Sequence, residues 1–587
     1  VKAVIFNSAN DSWVRYEYPE KILYAYSLNE VLPVLYEAEK LSQQGYHCIG
    51  FVSYEASPAF DNKIQAHAYS KGLPLCCFGV YKDYQPFEFP QKIHKLPELS
   101  WQPSISVEEY KKKLHSIKKH LIQGDCYQVN FTYHLRTPFI GSPFNYFLSL
   151  IHNQKTTLGS YIEDENFAIC SVSPELFFQL DNQQLTARPM KGTASRGRYY
   201  EEDEEQKQWL HNSEKNRAEN TMIVDMIRND MGKISSANNI QTTSLHHIEQ
   251  YKTALQMTST ISTQTNQSIV DIFKAMFPCA SITGAPKVKT TQIIKELEQG
   301  ARGIYTGSIG CILPNRKARF NVAIRTVCID KNNEIAEFGI GGGIVWDSKI
   351  EEEYQESLTK ASILSAKNHK VELLETILWD KNNGYFLIEY HLQRLKKSAA
   401  FLLFKWDENK IEKTLQKFEN YLQLNFNSPQ IVRLIYSENG SIKIENKEIG
   451  KVKETLKISL SKRVINSYEW SFFHKTTNRS FYDKALELST TQEADEVILC
   501  NEKGELCETT RHNIVLHLEG ELYTPILDSG LLNGTFRQQL LKQGKIKERR
   551  LYIQDLHNAK EIYLINSVRK WIKAEFIPSK IKEKSTK

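Results

Sequence analysis

The run Arg188-Pro189-Met190-Lys191-Gly192-Thr193 sets a lysine between a proline, which stiffens the backbone, and a glycine, which lets it bend. A primary amine fixed in this way is a candidate nucleophile, although a lysine beside Pro and Gly is, taken alone, usually a solvated loop residue. Further along, Glu353 and Glu356 follow Ser348-Lys349-Ile350-Glu351, a Ser with Glu three residues on that reads as a capping box. Both carboxylates should then project from one helical face, where a pair can hold a magnesium ion. Glu219 lies in a second helical stretch closed by Asn229-Asp230-Met231-Gly232, where the glycine suits a helix C-cap. A magnesium held by few carboxylates keeps positions open for substrate oxygens. Arg325 can grip a carboxylate bidentately. Gly341-Gly342-Gly343 can bring N–H groups to an anion as a nest, or be no more than a turn. Any one of these acidic residues in isolation would also fit a solvated helix face.

A chain of 587 residues should build two or more domains to position such groups, at roughly 100 to 200 residues per domain. Hydrophobic residues make up 41% and charged residues 25%, ordinary globular values, and a net charge of +6 is small for the length. Nucleic-acid binding is therefore not indicated. A helix-like pattern gives way around Leu364 to Val371 to a polar stretch, before the strand-like Glu372-Leu373-Leu374-Glu375-Thr376-Ile377-Leu378. The domains are accordingly expected at 1–366 and 371–578, with a charged tail at 579–587 that is read as frayed and without function. No Gly/Ser-rich or Pro-rich linker separates the domains and no internal repeat relates them. The ten cysteines include no CxxC pair and no Cys/His cluster at zinc spacing, which fits reduced thiols in a cytoplasm. No apolar run reaches the roughly 18 residues of a membrane span, and Val1-Lys2-Ala3-Val4-Ile5-Phe6 lacks a signal peptide's features, so a cytosolic protein without a membrane partner is expected.

The lysine run is followed in order by Asn216-Arg217-Ala218-Glu219-Asn220-Thr221-Met222-Ile223-Val224-Asp225, Ser281-Ile282-Thr283-Gly284-Ala285-Pro286-Lys287, Ile324-Arg325-Thr326, Gly341-Gly342-Gly343-Ile344 and Glu353-Tyr354-Gln355-Glu356. This succession closely resembles the chorismate-utilising enzymes, the family of anthranilate, isochorismate and aminodeoxychorismate synthases, over about residues 1–366. The resemblance implies an α+β fold with two antiparallel sheets and surrounding helices. It also implies that Glu219 and Glu356, with Glu353 close by, bind Mg²⁺ and through it the ring carboxylate. Arg325 and the glycine triplet would meet the other carboxylate, with Tyr305, Thr283 and Lys287 as further substrate contacts.

Within that family, lysine at the position of Lys191 is typical of aminodeoxychorismate synthases, whereas anthranilate and isochorismate synthases typically carry alanine. Gln128, in Gly124-Asp125-Cys126-Tyr127-Gln128-Val129-Asn130, stands where the water-activating members carry a lysine base, so ammonia is the implied nucleophile. The implied mechanism has neutral Lys191 attack ring carbon 2 while the 4-hydroxyl leaves, assisted by Glu175 of Ser173-Pro174-Glu175 as general acid. Ammonia then adds at carbon 4 and expels the lysine. One departure is Gln256, where many members have histidine, since a glutamine cannot shuttle a proton. No Gly-x-Cys-x-Gly elbow of a glutamine amidotransferase is present, so a separate glutaminase subunit is the expected ammonia source.

The second part carries Tyr390-His391-Leu392-Gln393-Arg394-Leu395, His474-Lys475-Thr476-Thr477-Asn478-Arg479, Gly504-Glu505-Leu506-Cys507-Glu508-Thr509-Thr510-Arg511-His512-Asn513-Ile514, Gly534-Thr535-Phe536-Arg537 and Asn566-Ser567-Val568-Arg569. This order is similar to the pyridoxal-phosphate enzymes of the branched-chain aminotransferase and aminodeoxychorismate lyase fold, a two-lobed α/β fold of type IV. The resemblance implies Lys475 as the Schiff-base lysine, Glu508 as partner of the pyridine nitrogen, and Arg394, Thr535, Ser567 and Val568 as the phosphate cup. Arg569 would bind a substrate carboxylate. These cofactor residues do not separate elimination from transamination, and Lys570-Trp571 stands where family lyases often carry Gly-Trp.

Together the two resemblances imply a bifunctional enzyme making 4-aminobenzoate, a folate precursor, from chorismate and ammonia, and dimerising through residues 371–578. The alternative is an anthranilate-type synthase fused to an aminotransferase. A non-catalytic binding protein built on these folds would be expected to have lost Lys191, Glu219 or Lys475.

Overall fold

The computed structural model describes residues 1–8, 10–68, 72–90, 99–236, 239–364, 371–451, 453–488 and 494–577. The expected boundary between residues 366 and 371 and the charged tail at 579–587 lie outside these residues. The chain divides into two compact units, Val1–Ser195 with Lys207–Asn368, and Arg196–Gln206 with His369–Lys587. Residues 196–206, expected in the first domain, thus belong to the second unit.

The first unit is built on two antiparallel sheets of ten strands each among the described residues. One runs from the long strand Gln128–Pro138 through Ile335–Ile344, Thr326–Asp330, Phe167–Ser171 and Ser160–Glu163 to Lys2–Asn7. The other runs from Met190–Ser195 at one edge through Ala254–Gln264, Gln184–Arg188, Leu176–Asp181 and Lys317–Val322 to His47–Val52 and Cys76–Tyr81. Because side chains alternate along a strand, Ala3 and Ile5 enter a core shared with Ile49, Phe51 and Cys77 of the other sheet, while Val4 joins the core behind its own sheet. Helices cover both outer faces. Leu28–Gln43, Glu214–Gly232 and Ile269–Met276 close one core, and Val107–Ile122, Pro143–Gln154 and Lys287–Leu297 close the other. The helix Val107–Ile122 shows the local logic: Ser106 accepts from the Glu109 N–H as N-cap, and Tyr110, Leu114 and Ile117 recur on the buried face. The expected pair of antiparallel sheets with surrounding helices is borne out.

The second unit has two lobes. The smaller is an antiparallel sheet in the order Gly384–Tyr385, Leu373–Asp380, Gln430–Tyr436 and Ile442–Glu448, covered by Ile388–Phe401 and Glu408–Asn425. The larger has eight strands, with Thr455–Ile465 parallel to both Glu496–Asn501 and Lys570–Phe576. A further pairing between Leu506–Thr509 and Asn513–Leu518 closes six of them into a ring, which leaves those strands no free edge. The lobes join where Leu374 N–H donates to the Lys475 carbonyl at 2.9 Å and Leu373 bridges to Thr476.

Candidate active sites

Lys191 sits in a break of its edge strand. The pairing of Met190–Ser195 with Ala254–Gln264 shifts register between Met190 and Thr193, and Gly192 takes φ +106°, a conformation only glycine adopts freely. The carbonyl of Lys191 instead accepts from Asn220 Nδ2 at 3.0 Å, and Asn220 Oδ1 accepts from Ser259 Oγ at 2.5 Å. The amine lies 3.0 Å from Glu219 Oε2, on the helix Glu214–Gly232. A Cβ at Gly343 would meet Lys191 Nζ at 2.7 Å and Gln128 Nε2 at 3.0 Å, so the glycine leaves room for the amine. Both amide atoms of Gln128 are buried without a hydrogen-bond partner among the described residues.

Around the amine, a cavity of about 420 Å³ is lined by Glu175, Lys191, Glu219, Gln256, Tyr305, Arg325, Gly341 to Gly343, Glu353 and Glu356. Glu175 is 2% exposed, and Oε1 accepts from Ser281 Oγ at 2.6 Å. Burial pushes its carboxyl up to about 7, despite the Ser281 hydroxyl and the Lys191 charge acting the other way. Arg325 holds φ +49°, and its Nη1 is buried without a hydrogen-bond partner among the described residues. Burial lowers its guanidinium to about 10, still charged at neutral pH. Its guanidinium lies 6.0 Å from the centre of the Tyr251 ring, and its open Nη1 can still take an anion. Tyr305 lies flat on the backbone at Gly339, where a Cβ would come within 2.1 Å of its ring.

Several sequence expectations change here. Gly341, Gly342 and Gly343 are paired strand residues opposite Thr132, Phe131 and Asn130, not an anion nest; their use is to bring Lys191 and Glu353 close to a bare backbone. The capping box at Ser348 does not form: the helix Ile350–Ala361 has Lys349 as N-cap, and Ser348 Oγ accepts instead from the Val345 N–H. Gly232 is the last residue of its helix, and the cap is Lys233. Lys287 is outside the cavity, its amine 2.7 Å from Asp230 Oδ2 and donating to the Met276 carbonyl. Thr283 is fully buried, with its hydroxyl on the Cys279 carbonyl at 3.0 Å. Thr283 thus serves its own turn and Lys287 ties its helix to Asp230, and neither lines the cavity.

Among the described residues no group of three or more His, Cys, Asp or Glu side chains is arranged as metal ligands. Glu219, Glu353 and Glu356 nevertheless line one cavity, with Glu219 paired to Lys191 and Glu356 to Lys360 at 2.8 Å. Burial, and then the neighbouring Glu356, push the Glu353 carboxyl up, whereas Lys360 holds Glu356 down. Carboxylate oxygens are the donors a hard divalent cation takes, so these three residues are of the chemical type that would hold magnesium, although two of them are paired with lysines. Sequence reasoning missed Asn220, Ser281, Gly339 and Lys360. Only Lys360 carried a local signal, as the i+4 partner of Glu356 on one helix.

In the second unit a cavity of about 760 Å³ brings together every residue expected at the cofactor: Lys475, Glu508, Arg394, Thr535, Ser567 and Val568, and also Arg569. Burial lowers the Lys475 amine to about 8, and Arg394 acts in the same direction. Glu508 accepts from Tyr482 Oη at 2.9 Å, and burial raises it to about 7. Arg394 is aimed by Glu375 through bonds of 2.9 and 2.6 Å. Burial alone would raise Glu375, but Arg394 and His391 outweigh it and hold the carboxylate at about 2. His391 is kept neutral by burial, donating from Nδ1 to Glu375 at 2.6 Å and accepting at Nε2 from Thr535 Oγ1 at 3.3 Å. Thr535 opens the helix Thr535–Lys542, whose first N–H groups suit a phosphate together with Arg394. Val568, expected in the phosphate cup, has its backbone N–H engaged: it and the N–H of Arg569 both go to Asn566 Oδ1, at 3.0 and 2.8 Å. Ser567 Oγ donates to the Thr376 carbonyl at 3.3 Å. Lysine, buried acid and anion-binding helix end fit pyridoxal phosphate. Glu375 and His391, which aim Arg394 and Thr535, were not foreseen.

The sequence matches the family described as chorismate binding enzyme over residues 85–366, and amino-transferase class IV over residues 372–575. It is 37% identical over 264 residues to aminodeoxychorismate synthase component 1 of Escherichia coli strain K12, covering 45% of this chain and 58% of that protein's length. It is 33% identical over 324 residues to anthranilate synthase component 1 of Lactococcus lactis subsp. lactis, covering 53% of this chain and 71% of that one. The crystal structure of anthranilate synthase component I from Streptococcus pneumoniae TIGR4 superposes with a TM-score of 0.52 at 24% identity, over 62% of this chain and 90% of that chain, a likeness of fold.

Proposed function

We propose that this chain, which belongs to the chorismate-binding enzymes and carries a class IV aminotransferase domain in its second unit, converts chorismate and ammonia to 4-aminobenzoate in two steps. The carrying observation is the Lys191 amine seated against Gly343, in one cavity with a buried acid, Glu175, and with Arg325, whose buried Nη1 has no hydrogen-bond partner among the described residues. In the first step Lys191, having given up its proton to become the neutral amine, bonds to ring carbon 2 while Glu175 gives its proton to the departing 4-hydroxyl. Ammonia then bonds to carbon 4 and the lysine leaves, so that water is the by-product. Magnesium, held by Glu219, Glu353 and Glu356, would anchor the ring carboxylate; Arg325 would hold the other.

The second step eliminates pyruvate from the aminated product and leaves an aromatic ring, which drives it. Pyridoxal phosphate supplies an electron sink when bound. Lys475 takes the proton from carbon 4 and returns it to the departing enolpyruvyl group. Glu508 holds the pyridine nitrogen, and Arg394 with the helix end at Thr535 holds the phosphate. The same cavity is lined by Lys447, Lys451 and Arg569, and by Arg433 and Arg511, which pair with Glu445 and Glu496, an excess of cations that favours an anionic substrate. Ammonia would come from a separate glutamine amidotransferase subunit, the product would serve folate synthesis, and the second unit would pair with another copy of itself.

Incubating the purified chain with chorismate, ammonium, Mg²⁺ and pyridoxal phosphate, and resolving aromatic amines by chromatography, tests both steps. 4-Aminobenzoate is the expected product; anthranilate would overturn the role given to Lys191. Arg325→Met is expected to raise the KM for chorismate roughly 10- to 100-fold, the worth of charged hydrogen bonds, with little loss of Tm, because it removes a buried charge for which the described residues supply no carboxylate.

Glu175 gives a pH prediction. Its folded carboxyl, at about 7, lies above the ordinary 4.5, so its contribution to stability is complete below about 4.5 and is lost as pH rises through 7. Amination should likewise fall above pH 7 as the acid ionises. Glu175→Gln is expected to cut amination by about 10²- to 10⁴-fold and to flatten both profiles; an unchanged alkaline limb would remove Glu175 from the role of acid.

A further inference from the structure

We infer that residues 196–206 are a positioning element of the pyridoxal phosphate cavity, holding His474 and through it Lys475. The inference rests on the reading of that cavity as a cofactor site. In the sequence, residue 196 follows directly on the strand Met190–Ser195 that carries Lys191, yet the segment belongs to the second unit.

Its anchoring is dense. The Arg196 guanidinium lies 4.5 Å over the Phe401 ring, donates to the Phe401 carbonyl at 2.7 Å, and pairs with Asp203 Oδ1 at 2.7 Å. Asp203 is 1% exposed and also accepts from the Gly197 N–H at 3.0 Å. Gly197 cannot be larger, since a Cβ would come within 2.4 Å of the Asp203 nitrogen. Arg198 reaches Ser467 O at 3.1 Å, Asp528 O at 3.3 Å and Asp528 Oδ1 at 2.6 Å, and its guanidinium lies 4.9 Å over Phe473. Tyr199 stacks on the same Phe473, centroids 5.2 Å apart.

The backbone carbonyl of Arg198, held in place by these contacts, meets His474 Nε2 at 3.2 Å. His474 Nδ1 is 2.9 Å from Ser398 Oγ, and the ring stacks on Phe401 at 4.5 Å. Burial keeps His474 neutral, its value lowered to about 4. A carbonyl cannot donate, so Nε2 carries the hydrogen and Nδ1 accepts from Ser398: one tautomer and one ring orientation. His474 directly precedes Lys475, and both line the cavity. With the Lys475 carbonyl pinned by the Leu374 N–H, the backbone that aims the lysine is fixed on both sides of its Cα. Loosening the segment would let water in around a lysine whose amine is kept low chiefly by burial.

The test uses full-chain variants and reads cofactor binding rather than turnover. Arg198→Ala is expected to weaken pyridoxal phosphate binding about tenfold. It should also move the pH midpoint of the bound cofactor's visible absorbance by about half a unit or more. His474→Ala should do the same. His474→Gln keeps one donor and one acceptor, and should stay within about twofold of the unaltered chain. Arg198→Lys, which keeps the charge but loses the forked bonds, serves if Arg198→Ala does not fold. Unchanged affinity and midpoint in Arg198→Ala or Arg198→Lys together with His474→Ala would overturn the proposal. An unaltered chain that takes up no pyridoxal phosphate would overturn the reading of the cavity instead.

Discussion

Lys191→Ala should stop 4-aminobenzoate formation from chorismate and ammonium, by on the order of 10³-fold or more, while elimination from supplied 4-amino-4-deoxychorismate continues at its normal rate. The amine is the group that the variant loses from the reacting centre, and with it the covalent route that directs ammonia to carbon 4. Glu219 would lose its partner at 3.0 Å, so some loss of Tm is expected from an uncompensated carboxylate. Lys191→Gln separates the two effects, since it keeps volume and hydrogen bonding but has no nucleophilic amine. Both variants should be equally inactive in amination, and the glutamine variant nearer the unaltered chain in Tm. Normal 4-aminobenzoate output from either would eliminate covalent catalysis by Lys191, and the assay is a single chromatogram with each substrate offered in turn.

Lys475→Ala should do the converse. Amination of chorismate continues, 4-amino-4-deoxychorismate accumulates, and pyruvate release falls on the order of 10³-fold or more, because the variant loses both its proton carrier and its tether for the cofactor. The amine lies in the cavity that also holds Glu508 and Arg394, and its value of about 8 leaves a usable neutral fraction near neutral pH. Pyridoxal phosphate should still bind through Arg394 and the helix end at Thr535, but without the visible absorbance of the unaltered chain. Chromatography for the aminated intermediate, run beside a pyruvate assay, decides the matter. Continued 4-aminobenzoate production by this variant would sink the assignment of the second unit.

The two sets of predictions differ in how much of their basis was readable beforehand. Lys191, Glu175 and Arg325 each sit in a short motif whose order along the chain is itself informative, and the same holds for Lys475, Glu508 and Arg394. What each of these groups touches was not readable. Ser281 was passed over, though it stands two residues before Thr283 in one motif, because a hydroxyl becomes noticeable only once a buried acid such as Glu175 is found 2.6 Å away. Glu375 and His391 looked like ordinary strand and helix residues until the fold set both against Arg394 and Thr535.

Local pattern also misled where a competing interaction was tertiary. Ser348 has the spacing of a capping box, but its hydroxyl is taken by the Val345 N–H and the helix begins beyond it. Three glycines in a row resemble a nest, yet pairing with Gln128–Pro138 makes them extended strand, useful for the space they leave. Lys287 has the charge for an anion site but is neutralised by Asp230 from another helix.

By itself the sequence determined the chemistry available to this protein: two lysines and a set of carboxylates and arginines in recognisable order, whose resemblance to two families implies two sheets in one part and two lobes in the other. Those properties are local, carried by residue type and by spacing along a strand or a helix. The tertiary structure alone decided which charges are paired and which are left open, as with Arg325, and which stretch of chain supports which lysine, as with residues 196–206 behind His474. The physical reason is that pairing, burial and orientation arise from contacts between residues far apart in the chain, and spacing along the sequence carries no measure of distance across the fold.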